Sequence, residues 1–357
     1  MAGTMERVYG TLLDRKYQDA LFENLKGYQE KGDAAIACCP FHEDAFPTFV
    51  VYGDRPEYFC FVCSARGDWL RYLELRKGLG FDEAIRLLAT EAGINAGGLT
   101  EALWRSDLGR SILLEILAGF FATQLFSRSG GEVLHYLYRR GYAMGEVEGS
   151  SFGFYPGHGA MMDYLAAQGI AVKHLEPVLK SIWRADAEDF RLTIPYRDSC
   201  GRLMGIIGRL AGGSGPEAYR PLTDLSPLEG VPFLMHRARN REDVIVVDGL
   251  IDALLLDRIG LMQAVAVGRE GLSPAQADTL AGCGVRRCVL CFGRCGDREG
   301  RTREAEALVR ARGMEAAVLP LPEGYADLDH FIRATDLHDF RKLLRTVKKP
   351  RKRPSPP

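Results

Sequence analysis

The sequence predicts a multidomain chain of mixed α/β and α+β class, and three observations carry that prediction. Near the start, Cys39-Pro40-Phe41-His42 and Cys60-Phe61-Val62-Cys63 form two short knuckles separated by 17 residues. Through the middle, apolar residues recur at helical spacing. In the last third they come in strand-length runs separated by helix-length stretches. At 357 residues the chain exceeds one ordinary core and has room for two or three domains.

The knuckles come first. Each sets two soft ligands two residues apart, and two such pairs close a tetrahedral site around Zn²⁺. Between them, Phe49-Val50-Val51-Tyr52 and Glu57-Tyr58-Phe59-Cys60-Phe61 read as strands joined by a turn at Gly53-Asp54-Arg55-Pro56. The reading is a zinc ribbon in which Cys39, His42, Cys60 and Cys63 fill every coordination position, so its one zinc is structural. Cys38, adjacent to Cys39, points elsewhere. Ahead of the ribbon, Leu12, Leu13, Tyr17, Leu21 and Leu25 give an amphipathic helix reaching to about residue 36. Behind it, Asp68 reads as the N-cap of a helix carrying Trp69, Leu70, Tyr72, Leu73 and Leu75. A second helix runs near 81–91, and Gly93 to Gly98 makes a linker, which bounds a first domain at 1–98.

Residues 99–240 form the next expected domain. It is helical to about 145, with Leu113, Leu114, Ile116, Leu117, Phe120 and Phe121 as a core stripe. Strands follow at Phe190 to Tyr196 and at Leu203 to Ile207, amid a crowd of arginines. From 241 to 345, runs at Val244–Val247, Ala264–Val267, Cys288–Phe292 and Ala316–Leu319 alternate with helical stretches at 251–258, 274–281 and 301–312. Strand–helix alternation of this kind means a parallel sheet with covering helices. The tail, 346–357, is basic and proline-rich and reads as disordered.

Composition narrows the function classes. No apolar run reaches transmembrane length and no signal-peptide core is present, so the expectation is a cytoplasmic chain without a membrane partner. In that compartment the nine cysteines are thiols or metal ligands rather than disulfides. A net charge of −1 argues against non-specific coating of nucleic acid but permits a local basic groove.

Chemistry in an open α/β sheet sits at the carboxyl ends of its strands, and three such ends carry acids here. They are Asp248-Gly249 with Asp252 one turn later, then Asp297 after the run ending at Phe292, then Asp327 and Asp329 after Leu319. Carboxylates converging in this way suit a hard cation such as Mg²⁺, which prefers oxygen ligands. Each acid also precedes a helix, so N-capping is the competing role for every one of them. Cys283, Cys288, Cys291 and Cys295 suggest a second metal cluster. However, Cys288 and Cys291 share one strand at odd separation, which sends them to opposite faces as core thiols.

This order of parts resembles the bacterial DnaG-type DNA primases and their mobile-element relatives. The resemblance rests on the ribbon, with Phe46-Pro47-Thr48-Phe49 inside it and Gly67-Asp68 after it. It rests also on Tyr136-Leu137-Tyr138-Arg139-Arg140-Gly141 with Phe152-Gly153-Phe154-Tyr155-Pro156. Arg191-Leu192-Thr193-Ile194-Pro195-Tyr196-Arg197-Asp198, Gly201-Arg202-Leu203 and Gly208-Arg209 complete it. The last third is similar to a TOPRIM unit, the metal-binding α/β module that these primases share with type IA and type II topoisomerases. The middle then corresponds to the helical and mixed primase core subdomain.

The resemblance implies short RNA primers made on a single-stranded DNA template from ribonucleoside triphosphates. The ribbon then contacts template, with aromatic side chains available for base stacking. Arg191, Arg202, Arg209 and Arg220 line a groove for phosphates, which their planar guanidinium groups suit. Asp248, Asp297 and Asp252 are the implied catalytic acids, and Asp248, Asp297, Asp327 and Asp329 hold Mg²⁺ or Mn²⁺. No stretch after about 345 matches the family's helicase-binding domain, which implies a stand-alone or truncated member with any replicative helicase acting in trans.

Departures from the family pattern give the rival expectation, a catalytically weakened single-stranded DNA-binding protein. Asp248 stands where the family has Glu, with a side chain shorter by one bond of about 1.5 Å. Aligning Asp297 with the second acid of Asp-x-Asp leaves Cys295 or Gly293 in place of the first. Leu328 replaces a usual Pro, and Ala218-Tyr219 replaces Lys-Tyr, with Arg220 next in the chain. A nuclease reading requires a nucleophilic Tyr domain, which the sequence does not display.

Overall fold

The computed structural model describes residues 21–32, 34–52, 57–63, 65–80, 107–148, 150–170, 172–184, 188–213, 216–261, 263–293, 297–325, 327–335 and 337–347, with 83, 84, 86, 87, 90 and 104. Two compact units emerge, Met1–Leu113 with Gly157–Ser181, and Leu114–Pro156 with Ile182–Pro357.

The first unit is built on five antiparallel strands in sequential order: β1 (Gln29–Lys31), β2 (Ala34–Ala37), β3 (Phe49–Tyr52), β4 (Glu57–Cys60) and β5 (Arg66–Asp68). The helix expected to reach residue 36 therefore stops early. Gly27 and Gly32 take positive φ, at 72° and 62°, and between and after them the chain folds into the β1–β2 hairpin. Burial along β2 alternates with period two, as a half-buried strand requires and a helix does not. Helix α1 (Trp69–Lys77) opens directly after Asp68, as its sequence predicts. Rings fill this unit's core: Phe22 lies 4.6 Å from Tyr72 and 4.9 Å from Trp69, and Phe49 stacks on Tyr58 at 5.0 Å. The described positions of the expected 81–91 helix, which are 83, 84, 86, 87 and 90, are helical. The linker at 93–98 lies outside the described residues.

The boundary between the units falls inside α2 (Asp107–Leu125), whose Leu113, Leu114, Leu117 and Phe121 are fully buried. Helices α3 (Gly131–Arg139) and α4 (Met144–Glu148) follow, then the short strand β6 (Gly153–Phe154). Helices α5 (His158–Ala167) and α6 (Val172–Ile182), which the sequence reading left out, return the chain to the first unit as far as Ser181.

In the second unit, β6, β7 (Leu192–Arg197), β8 (Leu203–Arg209) and β9 (Tyr219–Pro221) form an antiparallel sheet in that order. After α7 (Met235–Ala238) comes the strand–helix alternation: β10 (Asp243–Val247), α8 (Leu250–Arg258), β11 (Ala264–Ala266), α9 (Pro274–Gly282), β12 (Arg287–Cys291), α10 (Arg298–Ala311) and β13 (Glu315–Val318). The four strands are parallel in the order β11-β10-β12-β13, and α11 (Leu328–Ala334) and α12 (Leu337–Thr346) end the described chain. Both faces of this sheet are covered. Val244, Val246, Val265, Cys288 and Leu290 pack with Ala277 and Leu280 of α9 and with Ala305 and Val309 of α10. Ile245, Val247, Val289 and Cys291 pack on the other face with Leu255 and Leu256 of α8 and Phe331 of α11. Cys288 and Cys291 thus sit in separate cores, as their spacing demands, and Cys295 lies outside the described residues. Among the described residues no single helix is long and apolar enough to cross a membrane.

Candidate functional site

In the ribbon, the end of β4 and the turn after it carry the second knuckle, and the turn after β2 carries the first. The ligand atoms of Cys39, His42, Cys60 and Cys63 all lie within 4.8 Å of one another. The Sγ atoms of Cys39 and Cys63 are 3.7 Å apart, and Cys60 Sγ is 3.9 Å from His42 Nδ1. A tetrahedron with bonds of about 2.3 Å has edges near 3.8 Å, so the four donors fit one Zn²⁺. Backbone N–H groups already face the sulfurs. Phe41 donates to Cys39 Sγ at 3.5 Å, and Val62 and Cys63 donate to Cys60 Sγ at 3.4 and 3.5 Å. Cys38 is buried outside this group, where a Cβ on Gly27 would touch its sulfur at 3.4 Å.

The acids lie at the carboxyl ends of the parallel sheet. Asp248 follows β10 and is 7% exposed; its oxygens accept the Gly293 N–H at 3.1 and 3.2 Å. In-register pairing of Val247 with Cys291 brings the two strand ends side by side and makes that contact possible. Asp252, in the first turn of α8, is 5% exposed and accepts the Asp329 N–H at 2.8 Å. Burial pushes the Asp252 carboxyl well above the usual carboxylate range, and the charges of Asp327 and Asp248 push it further. A Cβ on Gly249 would lie 2.3 Å from Asp252 Oδ2, so this acid needs glycine beside it. Asp297 caps α10 through the Gly300 N–H at 2.8 Å, and Asp327 caps α11 through the His330 N–H at 2.8 Å.

Three arginines enter this region that sequence reasoning did not assign. Arg301 Nη1 donates to Asp248 Oδ2 at 2.9 Å, and its guanidinium also reaches the carbonyls of Arg269 and Gly293. Arg140 and Arg333 converge on the buried Asp329, with Arg333 Nε and Nη2 at 2.9 and 2.8 Å from Oδ2. Arg301 stands four residues after Asp297, one helical turn along α10, which is the signal that could have found it. Arg140 lies 189 residues from Asp329 and carried no local signal. The acids are thus interleaved with cations. Among the described residues the ribbon is the one group that brings three or more Cys, His, Asp or Glu ligand atoms within 4.8 Å.

The expected phosphate arginines divide. Arg191 and Arg220 are exposed, with Arg220 over the Phe190 ring at 5.8 Å and Arg191 over Phe154 at 5.8 Å. Arg202 is exposed, and its Nε donates to Asp198 at 2.8 Å. Arg209 corrects the expectation of an open groove residue: it is 2% exposed, lies between Tyr136 and Tyr219 at 4.7 and 5.1 Å, and donates to the carbonyls of Leu210 and Gly213. Its flat cation packs as an interior group between aromatic faces.

The chain thus carries a ribbon with a four-ligand zinc site and, in its other unit, a parallel sheet with acids at its strand ends. Comparison with known proteins agrees. The CHC2 zinc finger family matches residues 7–102. A DNA primase of Chlamydia muridarum is 29% identical over 324 residues, covering 86% of this chain and 53% of that protein. A DNA primase of Thermotoga maritima is 27% identical over 332 residues, covering 88% and 57%. The chain thus spans about half the length of the curated relatives it matches. The zinc-binding and RNA polymerase domains of the Aquifex aeolicus primase superpose with a TM-score of 0.75 at 23% identity, covering 96% of this chain and 85% of that one. A DNA primase domain from Pseudomonas aeruginosa gives 0.51 at 25% identity, covering 67% and 78%. The chain is thus similar to DnaG-type primases over most of its length, with a CHC2 zinc ribbon in its first part and a fold shared with their zinc-binding and RNA polymerase domains.

Proposed function

We propose that the chain is a DNA primase, joining ribonucleotides into short RNA on a single-stranded DNA template. The observation that carries this reading is the buried Asp252, set among Asp248, Asp327 and Asp329 at the end of a parallel sheet and on the same chain as the CHC2 ribbon. Such an acid is costly to bury unless a cation comes to it. A similar catalytic domain is described bound to single-stranded DNA, which supports the template assignment.

The donor set is all oxygen, the chemistry that suits Mg²⁺ or Mn²⁺: Asp248, Asp252, Asp297 and Asp327 would hold it, whereas Asp329, in the expected metal set, is instead engaged by Arg140 and Arg333. A divalent metal held by these residues would supply charge neutralisation at the triphosphate and activation of the primer hydroxyl. The protein's own share is positioning. Asp252, whose carboxyl is held above the usual carboxylate range by burial, would have to be deprotonated to accept a cation, and Asp329 holds Arg140 and Arg333 together beside it. Arg191 and Arg220 offer exposed guanidinium groups to template or triphosphate. Ribonucleoside triphosphates are the substrates, and a replicative helicase acting in trans is the proposed partner.

Labelled ribonucleotide incorporation on single-stranded DNA tests the reading. Product is expected with Mg²⁺ or Mn²⁺ and not after chelation. Template binding that survives chelation, with no product under either metal, favours the silent binding protein instead.

Because Arg301 neutralises Asp248, it competes with any cation for that carboxylate. Arg301→Gln is therefore expected to lower the metal concentration for half-saturation on the order of tenfold, the scale of one charged hydrogen bond. The metal-free variant loses stability, since a buried carboxylate is left unpaired. Calorimetric titration with Mn²⁺ measures the first effect, and weaker binding in the variant contradicts it.

A further inference from the structure

We propose that Asp44 is the positioning residue of the zinc site, a single carboxylate that braces three of the four ligands and sets how tightly the metal is held. The inference rests on the zinc assignment and not on the polymerase reading. Asp44 lies two residues after His42, in the turn leading to β3, and its side chain is 6% exposed. Four groups meet it. The Cys39 N–H donates to Oδ2 at 2.9 Å, the Thr48 hydroxyl donates to Oδ2 at 2.5 Å, and the Phe46 N–H donates to Oδ1 at 3.3 Å. His42 Nε2 lies 3.9 Å from Oδ2.

A turn-forming Asp needs only the Phe46 contact, which closes a local Asx turn. The other three point at the metal site. The N–H of Cys39 fixes the backbone that carries the first sulfur. Thr48 Oγ1 is also 3.5 Å from Cys60 Sγ, so the hydroxyl sits between the carboxylate and the third ligand. Its single proton goes to the carboxylate, the closer acceptor, and the hydroxyl then holds the Cys60 sulfur in place by contact. His42 turns Nδ1 toward Cys60 Sγ and Nε2 toward Asp44. The 3.9 Å gap is too long for a hydrogen bond but close enough for the negative charge to favour an imidazole whose N–H faces Asp44 and whose free nitrogen faces the metal. Carboxylates behind ligating histidines orient the ring and raise its basicity, and losing one costs 10–100-fold in metal affinity.

The test is zinc affinity of the whole chain, measured by competition with a chromophoric chelator, together with the visible spectrum after Co²⁺ replaces zinc. Asp44→Asn keeps the shape and removes the charge; Asp44→Ala removes both. Each is expected to weaken zinc by about 10–100-fold and to shift the Co²⁺ bands, which report ligand geometry. Thr48→Val is expected to weaken zinc by less than Asp44→Ala, and Glu43→Gln, at the exposed neighbouring acid, leaves affinity unchanged. If the Ala variant fails to fold, the Asn variant decides. Zinc held within twofold of the parent by Asp44→Asn, with an unaltered Co²⁺ spectrum, overturns the proposal.

Discussion

Asp252→Asn is expected to abolish metal-dependent ribonucleotide incorporation, by at least about 100-fold, while raising the melting temperature of the metal-free chain at neutral pH. Both effects come from one buried charge. The folded chain holds the Asp252 proton to higher pH than the unfolded chain does, because burial and the neighbouring Asp327 and Asp248 disfavour the anion. Where the folded state binds more protons, stability falls as pH rises. The contribution is therefore fully present below the ordinary carboxylate range and is lost as pH climbs through the raised folded value. Asn removes that slope and still accepts the Asp329 N–H that Asp252 receives at 2.8 Å. Metal binding runs the other way, since the proton must leave first, so the parent's affinity for Mg²⁺ rises with pH across the same window. Thermal melts with and without metal over a pH series read both. A metal-free variant no more stable than the parent contradicts the electrostatic account, and undiminished incorporation contradicts the assignment of Asp252.

Cys60→Ser is expected to lower zinc affinity on the order of 100-fold, taking one ligand's share, about 3 kcal/mol, of the ~10–16 kcal/mol seen for structural zinc sites. Cys60 is fully buried at the end of β4, paired in register with Phe49 of β3. Loss of metal therefore loosens the strands that hold the Phe22, Phe49, Tyr58, Trp69 and Tyr72 rings together. The expected signature is faster proteolysis within residues 21–77 with cleavage of the second unit unchanged. Zinc retained at parental strength contradicts the ligand assignment.

Much of the fold was legible because its signals are local. The knuckle spacing, the β3–β4 hairpin and the strand–helix alternation from β10 to β13 each lie within a short window, and the structure contains all three. The two-residue period of a strand by itself sets Cys288 and Cys291 on opposite faces. Short elements are where sequence pattern and structure part. The helical spacing from Leu12 to Leu25 extends the expected helix to about residue 36, although Gly27 and Gly32 at positive φ turn the chain into a hairpin. The strands β6 and β9, of two and three residues, are too short to carry a period. The candidate site was legible as a set of acids and illegible as a network. Nothing near Asp329 announces Arg140, and nothing in a list of groove arginines says that Arg209 lies buried between Tyr136 and Tyr219. Such pairings are set by tertiary packing, which a pattern in sequence does not carry.

The central claim is that the acids at the sheet ends act as charges on a metal and not merely as helix caps. Asp297→Asn separates the two roles, since Asn caps a helix as well as Asp does but carries no charge. Asp297 is exposed and caps α10 through the Gly300 N–H, so the variant should fold and melt as the parent does. The measurement is ribonucleotide incorporation on single-stranded DNA with saturating Mg²⁺ or Mn²⁺, parent against variant. A loss of about 100-fold or more at unchanged melting temperature is the result expected. Incorporation by Asp297→Asn at the parental rate would contradict it.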